Sequence, residues 1–259
     1  MNITTIILDW AGTAVDFGSL APVDAFIKAF EAHGVTPTLD ETRAPMGLPK
    51  RAHVAIMLSG DRLAAAWQAK HGRAHSEADI DTIYAQFEAN LFASLSNYAT
   101  PLPGTLEAVA QVREMGIKIG STTGYTRPMM DVVAPLAKEQ GYAPDCLVCP
   151  EEAGGYGRPY PYMIWRNLEL LGTKSIQNVL KIGDTVADMQ EGKAAGCLTA
   201  GVVIGSSLLG LSEGEWTALS DEEKSAHIAQ TKQAYFEAGA DFVLTSIHDL
   251  PILLSVIGG

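Results

Sequence analysis

One junction constrains this chain more than any other: an apolar run, residues 3–8, that ends in Asp9-Trp10-Ala11-Gly12-Thr13. A short apolar run closed by polar residues and glycine reads as a buried strand, so a carboxylate stands at a strand's C-terminal end. In an open parallel α/β sheet that edge is where ligands bind, which makes Asp9 a candidate nucleophile or metal ligand. Enzymes that use such an aspartate to take phosphate off an oxygen need a second acid, two positions on, to protonate the departing alkoxide. That position is Ala11. A phosphoryl-transfer site built here needs a leaving group that requires no protonation on oxygen.

The rest of the chain supplies a sheet for that strand. Helical periodicity covers about residues 22–33, 50–58, 61–70 and 76–95, with no convincing strand between them. From residue 101 strands and helices alternate: helix 104–115, strand 117–121, helix 127–140, strand 146–149, helix 161–171, strand 178–182, helix 186–195 and strand 199–204. Residues 210–239 are polar and helical, followed by a short strand at 242–244 and a closing helix. Alternation of this kind implies an α/β fold with a doubly wound parallel sheet. The helical block is then an insert, giving a core of residues 1–20 and 100–259 and a helical unit of residues 21–99.

A hydrophobic share of 47% with 19% charged residues describes an ordinary globular protein. The net charge of -12 argues against nucleic acid or an anionic membrane as a partner. No apolar stretch approaches the ~20 residues that span a bilayer, and the first strand is too short for a signal peptide, so a cytoplasmic location is expected. Cys146 and Cys149 form a C-x-x-C. With no second ligand pair following, they read as residues of a short buried strand rather than half a zinc site, and Cys197 as a small core residue.

Three strand ends carry short polar groups to one sheet edge: Asp9, Thr122-Thr123-Gly124, and Gly183-Asp184-Thr185-Val186-Ala187-Asp188. Taken singly, each is more often a turn or a helix cap. Together they offer the three things phosphoryl transfer requires: a nucleophile, a divalent ion and donors around the equatorial oxygens. Asp9 can form an aspartyl-phosphate. Asp184 can hold Mg2+ with Asp9 and a backbone carbonyl, and Asp188, four residues on, is a further ligand or a partner behind it. Thr123 can bind a phosphoryl oxygen, and Arg158 in Gly157-Arg158-Pro159-Tyr160 is the cation for the phosphate.

This constellation resembles the haloacid dehalogenase superfamily, where such loops serve those roles; the resemblance makes the insert a cap domain and Ala11 the source of the carbonyl ligand. Within it, Asp9–Thr13, Pro45-Met46-Gly47-Leu48-Pro49-Lys50-Arg51-Ala52-His53, the segment 120–127 and Gly157–Pro161 are similar to the phosphonoacetaldehyde hydrolase, or phosphonatase, family. The similarity runs nearly the full length, and Ala11 with Lys50 is its most specific part. It implies cleavage of a carbon–phosphorus bond, Lys50 as the imine-forming residue, Met46 and Gly47 at the substrate entrance with Thr123, Gly124 and Arg158, and a homodimer, through cap helices. A bare carbanion would be prohibitively unstable; a protonated imine on Lys50 accepts the electrons, so no acid is needed at position 11. His53 lies on the same helical face and is a candidate proton shuttle, whereas Arg51 points about a quarter-turn away. Tyr125 and Tyr160 contact substrate or merely pack.

Three rivals meet the same residues. A phosphatase or phosphomutase of this fold fits Asp9, Asp184 and Thr123 but lacks its acid at Ala11. A dehalogenase needs no Mg2+ and leaves Asp184 and Asp188 unexplained. A phospho-ligand binder without turnover leaves the intact nucleophile and metal set without purpose.

Overall fold

The computed structural model describes residues 2–258. Six strands, β1 (Thr5–Leu8), β2 (Lys118–Thr122), β3 (Cys146–Val148), β4 (Val179–Gly183), β5 (Leu198–Val202) and β6 (Phe242–Leu244), form one sheet in the order β3-β2-β1-β4-β5-β6. Every pairing is parallel. β1 and β4 are buried along their whole length, as parallel strands covered by helices on both faces must be. The chain winds outward from β1 in both directions, so the crevice between the C-terminal ends of β1 and β4 is the sheet's switch point.

Five helices between β1 and residue 99 form the insert: α1 (Leu20–Ala32), α2 (Leu39–Arg43), α3 (Lys50–Ser59), α4 (Asp61–His71) and α5 (Glu77–Ser94). The sheet is flanked by α6 (Thr105–Glu114), α7 (Arg127–Glu139), α8 (Tyr162–Leu171) and α9 (Val186–Ala195); α10 (Glu213–Ala218), α11 (Asp221–Glu237) and α12 (Leu250–Gly258) complete the chain. The polar segment 210–239 thus resolves into α10 and α11, each opened by a serine capping box at Ser212 and Ser220. The sequence pattern starts β1 at residue 3; pairing begins at Thr5, although Ile3 is already buried. α2 was not expected: five residues carry no readable period, but Thr38 and Glu41 form a reciprocal capping box.

One apolar cluster runs from Ile6 and Trp10 at the sheet into Phe26, Phe30 and Phe87 of the inserted helices, so insert and core share packing. Phe26 lies between Phe87, at 4.0 Å, and His53, also at 4.0 Å between ring centroids. At the entry to the insert, Ser19 begins α1 in a left-handed conformation without a side-chain cap. Asp16, itself at φ 57°, replaces it by accepting from Leu20 N at 3.0 Å and Ala21 N at 3.2 Å.

All three cysteines are free. Burial pushes the Cys149 and Cys197 thiols up to about 12, which fits packed core residues rather than reactive ones. Among the described residues no helix is long and apolar enough to cross a membrane.

Candidate active site

The ends of β1, β2 and β4 bring Asp9, Thr123 and Asp184 to one chamber, which the loop before α3 closes with Met46, Gly47 and Lys50. Ala11, Gly124 and Arg158 line it as well. Of the side chains that the sequence pointed to, His53 and Asp188 are not part of the lining.

Asp9 follows the last paired residue of β1, its N–H donating to Ile182 O on β4 at 3.0 Å. The turn after it depends on Gly12: at φ +83°, a Cβ there would fall 2.1 Å from Asp184 Oδ2, so this close approach of the two loops requires glycine. Asp184 Oδ2 accepts from Ser207 N at 2.8 Å, and its Oδ1 is buried without a hydrogen-bond partner. Asp188, in the first turn of α9, accepts from Thr185 Oγ1 at 2.5 Å and pairs with Lys181 Nζ at 2.8 Å and Arg158 Nη1 at 3.2 Å. One oxygen from each of Asp9, Asp184 and Asp188 lies within 4.8 Å of the others. Three hard oxygen donors, one of them orphaned in the interior, fit a divalent cation that prefers carboxylates. Asp184 Oδ1 has no partner at all, whereas Asp188 Oδ1, also without a hydrogen bond, pairs with the charges of Lys181 and Arg158.

Arg158 is almost wholly buried and donates from Nη2 to Asp9 Oδ1. Its Nε reaches Glu191 Oε2 at 3.2 Å. Lys181, an isolated lysine within the apolar β4, bridges Asp188, Glu191 and Thr122 Oγ1, the last at 2.9 Å. Burial opposes the charge on Asp9, but Arg158 and Lys181 outweigh it and hold the carboxyl below its ordinary range. Asp184 is pushed the other way, by burial and then by Asp9 and Asp188.

Lys50 opens α3 and is buried. Its Nζ lies 5.6 Å from the Tyr125 ring centroid and 5.9 Å from that of Phe26. Burial lowers its pKa to about 8, against the attraction of Asp9. His53 is fully buried behind it, with Nε2 2.8 Å from Thr42 O. A carbonyl only accepts, so Nε2 carries the proton and Nδ1 is a bare, unpartnered lone pair. Burial and the neighbouring Lys50 lower the His53 pKa to about 3, which keeps the ring neutral. Arg51 turns outward to Glu77 and Asp81. Tyr160 is exposed, while Tyr125 is buried in the chamber wall with its hydroxyl unpartnered. Sequence reasoning left out Lys181 and Glu191 and gave Thr122 a place at the sheet edge but no role; for Lys181, a charged residue in the middle of a buried strand was the available signal.

The model of haloacid dehalogenase-like hydrolases matches residues 3–196. The chain is 48% identical over 257 residues to a phosphonoacetaldehyde hydrolase of Lysinibacillus sphaericus (strain C3-41), covering 99% of this chain and 96% of the relative. To one of Bacillus cereus (strain G9842) it is 44% identical, covering 99% and 97%. Among solved structures, a phosphonoacetaldehyde hydrolase like protein from Oleispira antarctica superposes with a TM-score of 0.96 at 36% identity, covering 100% of this chain and 93% of that one. With the strand-end aspartates, the buried lysine and Ala11 in one chamber, this likeness is one of chemistry as well as fold, and the chain belongs to the phosphonoacetaldehyde hydrolases within the haloacid dehalogenase-like hydrolases.

Proposed function

We propose that this protein hydrolyses the carbon–phosphorus bond of phosphonoacetaldehyde to acetaldehyde and phosphate, with Lys50 and Asp9 as its two covalent groups. One observation carries the reading: a buried lysine with a lowered pKa faces the same chamber as the strand-end aspartate, where Ala11 occupies the general acid's place.

The neutral Lys50 amine attacks the aldehyde and water leaves, giving an imine whose protonated form withdraws electrons from the adjacent carbon. Asp9 attacks phosphorus, the carbon–phosphorus bond breaks, and its electron pair becomes the enamine double bond. Protonation at carbon returns an imine, which water hydrolyses to acetaldehyde and free Lys50. A second water hydrolyses the aspartyl-phosphate. Arg158 holds Asp9 in place and faces the oxygens of the transferring group, and Thr123 supplies a further donor. Mg2+, held by Asp9, Asp184 and the Ala11 carbonyl, would offset the phosphonate's negative charge. His53, buried behind Lys50 with a bare Nδ1, stays neutral and so adds no positive charge beside the amine, whose proton passes to water in this reading. Residues 21–99 act as the cap over a core of 1–20 and 100–259. A second copy packs on the insert, whose α3 and α5 expose Ile56 and Phe92.

Equimolar release of acetaldehyde and phosphate that EDTA stops and Mg2+ restores is the expected result. Turnover unaffected by EDTA would overturn the metal's part, and a folded protein with Mg2+ that releases neither product would overturn the substrate.

A further inference from the structure

The chamber around Asp9 and Lys50 has only about 20 Å³ of free space. That holds about one water molecule, so phosphonoacetaldehyde enters only when insert and core part. Beside it lies a cavity of about 280 Å³, walled on one side by Arg43 and Ala44 of the insert and on the other by Val186 and the 207–210 loop of the core. Met46 and Thr185 belong to both. This cavity lies at the seam that opens when the two halves separate.

Its arginine is unlike the other arginines of the chain. The other seven arginines each form an ion pair with a carboxylate. Arg43 forms none among the described residues, and its Nε is buried without a hydrogen-bond partner. Its guanidinium instead reaches across the seam to the Gly210 backbone, where a Cβ would meet Nη1 at 2.7 Å. Asp40 borders the cavity, and with Glu215 and Asp24 acts on Arg43 only at longer range. An unpaired planar fork of donors, in a protein of net charge -12, suits a small phosphono or phosphate dianion.

We propose that Arg43 makes this groove the port by which phosphonate and phosphate dianions reach and leave the chamber. The proposal rests on the phosphonate-hydrolase reading for its substrate, and its test separates the two. Turnover of phosphonoacetaldehyde by the wild type is measured first, and its absence counts against that reading alone.

For the port, kcat and KM are measured for wild type, Arg43→Ala and Arg43→Lys across a range of NaCl. Arg43→Ala should lower kcat/KM about fivefold at low ionic strength, with kcat nearly unchanged, and the gap should close toward 1 M salt as screening grows. Arg43→Lys should recover most of the loss. A loss that ignores salt and is not recovered by lysine would make Arg43 a structural contact to Gly210 and overturn the port. So would an unchanged kcat/KM. If the wild type does not turn over, 31P exchange of inorganic phosphate with Mg2+-loaded protein replaces the assay. Slower exchange in Arg43→Ala supports the port; equal exchange, or none in either protein, overturns it.

Discussion

Gly47 in the insert and Thr185 in the core touch so closely that a Cβ on Gly47 would stand 2.4 Å from Thr185 Oγ1. Gly47 also has φ +88°, where a side chain is strained whatever the space. This contact is the point at which the insert seats against the loop after β4, three residues before Lys50. Gly47→Ala should therefore keep the fold but prevent full closure, lowering kcat by about 100-fold while Tm moves by a few degrees at most. Steady-state kinetics with thermal melting checks it, and a variant of normal kcat would show that closure at Gly47 is dispensable.

The Lys50 pKa of about 8 sets a pH dependence. The attacking amine must be neutral, so kcat/KM should rise with pH and level off above about 8. The groups bearing on that value are Asp9, Asp184 and Asp16, which raise it, and Arg158, which lowers it. A pH–rate profile whose ascending limb has its midpoint near 10 would mean that burial does not tune this lysine.

Asp16 titrates against the fold. Burial raises its pKa from 3.8 to about 7, so the folded protein binds this proton more tightly than the unfolded chain does. Its contribution to stability is complete below about pH 4 and is lost as pH rises through about 7, by roughly 4 kcal/mol at the upper limit. Asp16→Asn retains an oxygen for the Leu20 and Ala21 N–H groups and removes the titration. Its Tm relative to wild type should climb between pH 4 and pH 7; a flat difference would contradict the assignment.

Lys181→Met removes a fully buried cation shared by Asp188 and Glu191. Two carboxylates would then depend on Arg158 alone, which should cost about 3 kcal/mol or more of stability. Urea unfolding measures this. A variant as stable as wild type would mean that the network contributes position rather than stability.

The alternating strands were legible because each is a short apolar run ending in polar residues, and Asp9, Thr123 and Asp184 followed from the strand ends. Lys181 and Glu191 were not, because only the packing of α9 on β4 joins a lone lysine to a glutamate ten residues later. His53 shows the limit of helical spacing. It shares a face with Lys50, as read, but α1 covers that face, and the ring ends stacked on Phe26 with Nε2 on the Thr42 carbonyl. Arg43 carries no motif; it stands out only once every other arginine has found its carboxylate.

The measurement that tests the central claim most directly is borohydride trapping during acetaldehyde release from phosphonoacetaldehyde with Mg2+, comparing wild type with Lys50→Arg. Wild type should release acetaldehyde and acquire a reduced adduct on Lys50 by mass spectrometry, while the folded Lys50→Arg protein does neither. Acetaldehyde release by Lys50→Arg at the wild-type rate would contradict the account.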